Sequence, residues 1–329
     1  MDRLTPVDIR ELAKICPCGL EVNADLSRIS HWRIGGIADL IIRPSTTLEL
    51  VNLRQWFIKR SIRPVVIGLT SNLLFDDSGL RVPCIQIGSM MSHTRIETKK
   101  NIIDAQAGIW VPRLAGFVMR AGLGGAEHIC GIPGTLGGLI CMNGGSQRKN
   151  IGSSIVEVES VDSNGDIVTR TAPECGFSYR QSIFQDNEEI ITSAKMLFTP
   201  APKIKVRAEM LSILAERRRK FPRKQPNCGS VFKSNPEMYS DIGSPGAAIE
   251  RMGLKGLRVG GAMISPCHAN FIVNAGGATS QDVRALIAIM RDAVERATGY
   301  VMATEAHYVG VDGTKHSADV NSTDSVSYA

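Results

Sequence analysis

The sequence predicts an α+β protein of about two domains. Helical and strand patterns alternate up to residue 200, and glycine-rich turns separate them, as in a mixed fold. The length of 329 residues is about twice the roughly 150 residues of an average domain. Beyond Pro200-Ala201-Pro202 the chain becomes more charged, so we place a domain boundary there.

The elements of the first domain follow from the spacing of apolar residues. Apolar side chains at helical spacing predict helices over residues 47–60 and 110–121. Short apolar runs bounded by turn residues predict strands over residues 64–69, 84–88, 101–108, 156–162, 166–170 and 189–199. The Asn164-Gly165 pair predicts that the strands on either side of it form a hairpin, because this pair favours a tight turn.

Two helices are predicted in the second domain. Residues 203–220 form a charged amphipathic pattern. Residues 280–298 repeat apolar side chains on one face, with Ser280 and Asp282 as N-cap candidates and Gly299 as the stop signal. The second of these helices therefore carries start, face and stop signals together.

The C-terminal part of the chain combines an apolar run with a polar tail. Residues 301–310 predict a strand that contains Glu305. Residues 313–329 lack apolar periodicity, so we expect a disordered tail there.

Composition excludes several classes of protein. The 38 Lys and Arg residues against 32 Asp and Glu leave a net charge of +6, which suits an acidic or phosphorylated ligand. The basic residues cluster only over residues 217–224, so we expect no nucleic-acid partner. No apolar run is long enough to span a membrane, and the first residues are too charged for a signal peptide. We therefore expect a cytoplasmic protein without a membrane partner.

Cysteine usage indicates neither a disulfide scaffold nor a metal site. Eight cysteines are unevenly spaced in the chain. Cys16-Pro17-Cys18 has no second close pair to complete a zinc site of the usual spacing. We expect reduced thiols and no metal.

Glycine clusters provide the first functional indication. The segment Gly68-Leu69-Thr70-Ser71-Asn72 follows a strand and offers successive backbone N–H groups to an anion. The segment 131–138, Gly-Ile-Pro-Gly-Thr-Leu-Gly-Gly, allows a backbone to approach a ligand closely. Neither matches the dinucleotide or P-loop fingerprint, so any phosphate site belongs to another fold.

Four further positions combine polar chemistry with turns or strands. Tyr179-Arg180 suits an anionic group beside a ring, and Ser230 follows a glycine after a basic run. His268 precedes a strand. When each of these residues, or Glu305, is taken alone, a structural explanation is the better one.

The order of these segments resembles the UDP-N-acetylenolpyruvoylglucosamine reductases of bacterial cell-wall synthesis. The resemblance runs from about Ser30 to Gly310. It rests on six ordered motifs: Gly68-x-x-Ser71-Asn72, the loop 131–138, Tyr179-Arg180-x-Ser182-x-Phe184, Gly229-Ser230-Val231-Phe232-Lys233, His268-Ala269-Asn270-Phe271 and Glu305. The short stretch between Phe184 and Lys203 resembles the subgroup that lacks the tyrosine-bearing loop.

The resemblance implies a flavoprotein fold and a domain plan. It implies a two-subdomain FAD-binding fold of the vanillyl-alcohol-oxidase/PCMH type over residues 30–200, after an N-terminal extension over 1–29. A C-terminal α+β substrate-binding domain follows over residues 201–312. Non-covalent FAD is the implied cofactor, with NADPH as co-substrate. The positions that match the family's FAD contacts are Gly68, Ser71, Asn72, Ile132, Gly134, Thr135 and Gly138.

The resemblance also implies roles for residues around the substrate. Ser230 corresponds to the proton donor of the family, and Arg180 and Glu305 correspond to the pair that stabilises charge on the reacting enol. Lys220 corresponds to a lysine that binds the UDP diphosphate. Tyr179, Asn235 and His268 are the other candidate substrate contacts. UDP-sugar and NADPH are then the partners, and we expect a monomer or weak homo-oligomer.

Departures from the family pattern leave alternatives open. Thr70 stands where a glycine is usual, and Ser234-Asn235-Pro236 is one residue longer than the usual motif. A specialised paralogue that acts on a related nucleotide sugar, or a non-catalytic FAD or nucleotide-sugar binder, fits these departures. An FAD-linked oxidase with flavin attached to His31 or Cys130 is a further alternative.

Overall fold

Two clusters of buried apolar side chains organise the chain. The computed structural model describes residues 4–319. One compact unit comprises residues up to Val22, 40–69 and 83–217, and the other comprises 23–39, 70–82 and the chain from Arg218 onward. Each unit has its own hydrophobic core.

The helical elements occur in both units. The α-helices of the described chain are α1 (Pro6–Ile15), α2 (Leu26–Ile29), α3 (Thr47–Ile58), α4 (Val111–Arg120), α5 (Leu136–Cys141), α6 (Lys203–Lys220), α7 (Pro236–Asp241), α8 (Pro245–Arg251) and α9 (Ser280–Thr298). Short 3-10 turns cover Ser89–Met91, Thr98–Lys100, Glu127–Ile129, Ile151–Ser154, Pro173–Cys175 and Ile183–Gln185. The four helices predicted from the sequence correspond to α3, α4, α6 and α9.

The strands are short, apart from those of one sheet. They are β1 (Leu20–Asp25), β2 (Ile37–Ile42), β3 (Val65–Ile67), β4 (Leu73–Phe75), β5 (Cys84–Gln86), β6 (Thr94–Glu97), β7 (Ile102–Gln106), β8 (Leu123–Gly124), β9 (Ile155–Val161), β10 (Ile167–Thr171), β11 (Ile190–Leu197), β12 (Thr199–Pro200), β13 (Arg258–Val259), β14 (Ala262–Ile264), β15 (Ile272–Asn274), β16 (His307–Val309) and β17 (Lys315–Ser317). The six strands predicted in the first domain correspond to β3, β5, β7, β9, β10 and β11.

The first unit is built mainly on two sheets. Strands β10, β9, β11, β7 and β6 form an antiparallel sheet in that order. The predicted hairpin joins β9 to β10, where Asp162 Oδ1 accepts hydrogen bonds from the amides of Asn164 and Asp166 at 2.8 and 2.9 Å, and Gly165 has a φ of +87°. In the other sheet β5 pairs in parallel with β2 and β3, and all three β5 residues are buried, as expected of a central parallel strand.

The second unit contains two three-stranded sheets and the longest helix of the described chain. One sheet has the order β17-β16-β4 and the other β13-β14-β15. Helix α9 packs on β13 and β14. Its N-cap is Thr279, and Asp282 completes a capping box, so the predicted Ser280 cap is wrong by one residue. Ser280 instead donates from its amide and hydroxyl to the carboxylate of Asp77.

Two predictions for the C-terminal region are wrong. The strand expected over 301–310 shrinks to β16, which leaves Glu305 outside it. Residues 315–317 form β17 because they find a backbone partner in β16, so disorder does not begin at residue 313. The rest of the predicted tail, residues 320–329, lies outside the described residues.

Candidate active site

The loop before α5 lies in the first unit and approaches Gly68 closely. Thr135 is the N-cap of α5, and its hydroxyl accepts a 3.4 Å hydrogen bond from the amide of Gly138. A Cβ atom at Gly68 would lie 2.6 Å from Thr135 Oγ1. Glycine is therefore the residue that fits at position 68, which agrees with a backbone that must pass close to another segment.

The rest of this loop combines fixed and exposed backbone. Gly134 has a φ of +154° and accepts a 3.0 Å hydrogen bond from the amide of Val111. Ile132 donates from its amide to Ile129 at 3.0 Å. Gly138 is exposed. The structure thus places Gly68 and Gly138 next to the buried Thr135, and Gly134 and Ile132 lie in the same loop.

Tyr179 and Arg180 occupy a tight turn of the first unit. Ser178 and Gln181 exchange backbone hydrogen bonds of 3.1 and 3.2 Å, and Arg180 between them has a left-handed φ of +57°. The Arg180 guanidinium lies 5.6 Å from the ring centroid of Tyr179, whose side chain is 60% exposed. A left-handed non-glycine residue is uncommon and marks a position held by its surroundings.

Buried polar residues hold this turn against the end of α5. Asn143 donates from its side-chain amide to the Ser178 carbonyl at 2.7 Å, and the Ser182 hydroxyl donates to the Cys141 carbonyl at 2.7 Å. Asn143 and Ser182 are 3% and 2% exposed. The position of Arg180 therefore depends on residues on both sides of the turn.

The segment that carries Ser230 lies in the second unit and is fixed on both sides. Gly229 has a φ of +81°, and its amide donates to Asn227 Oδ1 at 3.0 Å. After the serine, the amide of Val231 donates to the Asn270 carbonyl at 2.9 Å. Ser230 itself is half-buried. Its hydroxyl therefore stands on backbone with little freedom to move.

Asn270 holds the backbone after Ser230, and the sequence reasoning did not single it out. Its side chain is 5% exposed and makes 3.0 Å hydrogen bonds to both the amide and the carbonyl of Phe232. Its Oδ1 accepts from the Phe232 amide, and its Nδ2 donates to the Phe232 carbonyl. The available signal was the motif His268-Ala269-Asn270-Phe271, in which only the histidine was considered.

Glu305 lies beside the Ser230 segment. Its amide donates to the Val231 carbonyl at 2.6 Å, and its carbonyl accepts from Asn72 Nδ2 at 2.8 Å. Phe232 and Thr304 form an isolated antiparallel bridge next to these bonds. The structure thus brings Asn72, Ser230 and Glu305 together within the second unit.

Thr70 adopts the conformation that a glycine would adopt more easily. Its φ is +56° and its side chain is 3% exposed. The hydroxyl donates to the Ile29 carbonyl at 3.1 Å and accepts from the His31 amide at 3.2 Å. The Thr70 and Leu73 carbonyls both accept from the thiol of the buried Cys228 at 3.5 Å. The half-buried Ser71 follows Thr70 in the same turn.

His268 belongs to a cluster of rings next to Lys220. Its ring centroid lies 5.5 Å from that of Phe221 and 5.0 Å from that of Phe271. Its Nδ1 accepts a 3.2 Å hydrogen bond from the backbone amide of Asn270. Burial, followed by the positive charges of Lys255 and Lys220, lowers the pKa of His268, so the neutral imidazole is favoured. Lys220 is exposed at the end of α6.

Asn235 has a structural function in the second unit. It is the N-cap of α7, and its Oδ1 accepts a 2.9 Å hydrogen bond from the amide of Glu237. Pro236 follows at the first helical position, where proline is favoured. The extra residue in the Ser234-Asn235-Pro236 segment is thus accommodated by a helix start.

Residues 4–319 contain neither a metal-ligand cluster nor a membrane-spanning helix. No group of three or more His, Cys, Asp or Glu side chains in this range is arranged to hold a metal ion. No helix in the same range is long and apolar enough to cross a membrane. The eight cysteines are free thiols.

Two family models and several known proteins together match most of this chain. Residues 38–171 match a family model described as an FAD binding domain, and residues 221–309 match the C-terminal domain of UDP-N-acetylenolpyruvoylglucosamine reductase. A protein of Corynebacterium glutamicum named UDP-N-acetylenolpyruvoylglucosamine reductase 1 is 44% identical over 288 residues, which cover 88% of this chain and 85% of that protein.

Two further relatives agree with these matches. The reductase of the same name from Heliobacterium modesticaldum is 36% identical over 88% of this chain and 90% of its own length. The crystal structure of the Thermus caldophilus UDP-N-acetylenolpyruvylglucosamine reductase superposes with a TM-score of 0.74 at 29% identity, covering 88% of this chain and 99% of that chain.

Proposed function

The chain belongs to the UDP-N-acetylenolpyruvoylglucosamine reductase family, and we propose that it reduces UDP-N-acetylglucosamine enolpyruvate to UDP-N-acetylmuramate with NADPH. Identity of 44% over 88% of the chain is the observation that carries this proposal. The resemblance that the motifs predicted and the expected α+β architecture with an FAD-binding domain are confirmed by these matches. The protein is an FAD-dependent oxidoreductase.

The loop 131–138 and the neighbouring Gly68 in the first unit are compatible with FAD. Gly68 leaves no room for a Cβ atom next to Thr135, and the exposed Gly138 presents backbone without a side chain. Such backbone is what a diphosphate requires for close approach. We assign Gly68, Ile132, Gly134, Thr135 and Gly138 to this role. FAD supplies the hydride transfer between the nicotinamide and the substrate carbon.

Ser230 is our candidate for the proton donor at C2 of the enolpyruvyl group. Reduction of the double bond adds a hydride at C3 and needs a proton at C2. The support for Ser230 is a backbone fixed by Asn227 and Asn270, which keeps a small hydroxyl in one place. Glu305 lies next to Ser230, because its backbone amide donates a hydrogen bond to the Val231 carbonyl. We propose that Glu305 and Arg180 stabilise the charge that develops on the enol.

Lys220 and His268 are our candidates for the nucleotide end of the substrate. Lys220 carries an exposed cation near the ring cluster of Phe221, His268 and Phe271, which suits a diphosphate. Tyr179 is exposed enough to contact substrate, and Asn235 would contribute while it caps α7. We also propose a cytoplasmic location and a monomer or weak homo-oligomer.

The test follows NADPH oxidation by the purified protein with and without UDP-N-acetylglucosamine enolpyruvate. We expect yellow protein whose flavin is released by acid, and oxidation that depends on substrate. Oxidation only with another nucleotide sugar would indicate a specialised paralogue. Oxygen consumption without the enolpyruvyl substrate, or flavin that stays in the acid pellet, would indicate an oxidase and contradict the proposal.

A variant of Ser230 tests the proton donor. Ser230→Ala should retain flavin and its reduction by NADPH, while the reoxidation of pre-reduced protein by substrate slows about 10²–10⁴-fold. Ser230→Cys should recover part of the rate, because a thiol can also donate a proton. Ser240→Ala, whose exposed hydroxyl donates to Glu237 in α7, is the matched control. Reoxidation at the wild-type rate in Ser230→Ala would rule the serine out.

A further inference from the structure

Asn72 stands at the point where the glycine loop enters β4. Its carbonyl accepts a 3.0 Å hydrogen bond from the His307 amide, just before β4 pairs in parallel with β16. Its side-chain nitrogen Nδ2 donates to the Glu305 carbonyl at 2.8 Å and lies 3.3 Å from His307 Nδ1. A carbonyl accepts only from a donor, so the Nδ2 end of the amide must face Glu305.

His307 is the second neighbour of this amide, and its ring also makes a hydrogen bond with the Glu305 backbone. Burial, followed by the positive charges of Lys233 and Lys315, lowers the pKa of His307. The neutral ring offers a lone pair at one nitrogen. Asn72 Nδ2 therefore has the Glu305 carbonyl as its acceptor at 2.8 Å and His307 Nδ1 as a further neighbour at 3.3 Å. The amide nitrogen thus lies against the segment that carries Glu305.

The peptide of Glu305 is held from both ends. Its amide donates to Val231, the residue after Ser230, and its carbonyl accepts from Asn72. Cys228, two residues before Ser230, donates from its thiol to the Thr70 and Leu73 carbonyls on either side of Asn72. The loop 70–73, the Ser230 segment and Glu305 therefore form one closed network within the second unit.

We infer that Asn72 is a positioning residue for Glu305: its side-chain amide fixes the Glu305 peptide, and through it the direction of the carboxylate, beside the Ser230 segment. The family pattern places this asparagine among the flavin contacts, whereas its side-chain amide in this chain donates a hydrogen bond to the Glu305 carbonyl. The inference rests on the proposed function only where it concerns the rate of the reaction.

The experiment compares Asn72→Ala and Asn72→Asp with Asn274→Ala. Asn274 is a matched control in the same unit, because its Nδ2 also donates to a backbone carbonyl, that of Trp32, at 3.0 Å. Three quantities are measured for each protein: the dissociation constant of FAD, the amide hydrogen exchange of residues 303–309, and the reoxidation of pre-reduced, FAD-saturated protein by the enolpyruvyl substrate.

We expect both Asn72 variants to bind FAD within about threefold of the wild type. Exchange over residues 303–309 should rise at least tenfold in both variants and stay unchanged in Asn274→Ala. Reoxidation should slow by about 10²-fold, the usual order for a misplaced catalytic group. The double variant Asn72→Ala with Glu305→Ala should be no slower than Glu305→Ala alone, because both act through one carboxylate.

Opposite results would overturn the inference. A tenfold or greater loss of FAD affinity, with normal exchange and normal reoxidation at saturating FAD, would make Asn72 a flavin ligand. If the wild-type protein does not turn over the enolpyruvyl substrate, the proposed function fails. The exchange and FAD measurements then still decide whether Asn72 holds Glu305.

Discussion

At the residue scale, Thr70 shows how a side chain can occupy a position that favours glycine. A left-handed conformation costs a non-glycine residue roughly 1–2 kcal/mol. The Thr70 hydroxyl offsets this cost with hydrogen bonds to the Ile29 carbonyl and from the His31 amide. The sequence showed Thr70 only as a departure from the usual glycine, and the structure adds that its hydroxyl anchors the loop.

Two substitutions separate these contributions at Thr70. Thr70→Val keeps the β-branched shape and the strain but removes both hydrogen bonds, so the free energy of unfolding should fall by about 2–3 kcal/mol. Thr70→Gly removes the same bonds and also the strain, so its loss should be smaller by roughly 1–2 kcal/mol. Urea unfolding measures both values. A Thr70→Val protein as stable as the wild type would contradict this account.

At the element scale, α9 combines local signals with tertiary ones. Thr279 and Asp282 form the capping box, and Gly299 closes the helix with a φ of +76°. Asp282 also accepts a 3.1 Å hydrogen bond from the Gly261 amide, which ties the helix start to the turn before β14. The N-cap was predicted one residue late because Ser280 is an equally good capping residue by type.

Substitutions at the N-cap test this assignment. Thr279→Ala should lower the free energy of unfolding by about 1 kcal/mol. Thr279→Ser should retain most of the wild-type stability, because serine keeps the accepting oxygen. Asp282→Ala should cost more than Thr279→Ala, since it removes the bond to Gly261 as well. Equal stability of Thr279→Ala and the wild type in urea unfolding would show that another group caps α9.

At the scale of the whole molecule, four of the six histidines have a lowered pKa. Burial is the largest cause for each of His31, His128, His268 and His307. The unfolded chain then binds more protons than the folded chain between the folded pKa values and about 6.5. Stability is therefore fully present above about pH 6.5 and decreases as the pH falls through this window.

Thermal unfolding between pH 7.5 and pH 5 checks this expectation. The melting temperature should fall steadily below about pH 6.5. His31→Gln should flatten part of the slope, because burial is the cause of the shift at that histidine. A melting temperature that rises on acidification would contradict the predicted direction.

The sequence by itself determined the local elements and the family. The sequence predicted α9 over residues 280–298, as observed, because its apolar face at helical spacing is a property of nearby residues. It also predicted the start of α6 at Lys203 and its end at about Lys220. The ordered motifs identified the reductase family, since the polar residues and glycines of a site recur at recognisable spacings.

Only the tertiary structure decided which segments share a core and which residues of the second unit pair or hydrogen-bond with one another. Residues 23–39 and 70–82 join the chain from Arg218 onward, which no local pattern reveals. Strand β17 forms because β16 lies beside it, although its own sequence lacks apolar periodicity. Asn72 and Glu305 are 233 positions apart, and their hydrogen bond exists because β4 and β16 pair in parallel. Such contacts depend on long-range pairing, which the spacing of residues along the chain does not encode.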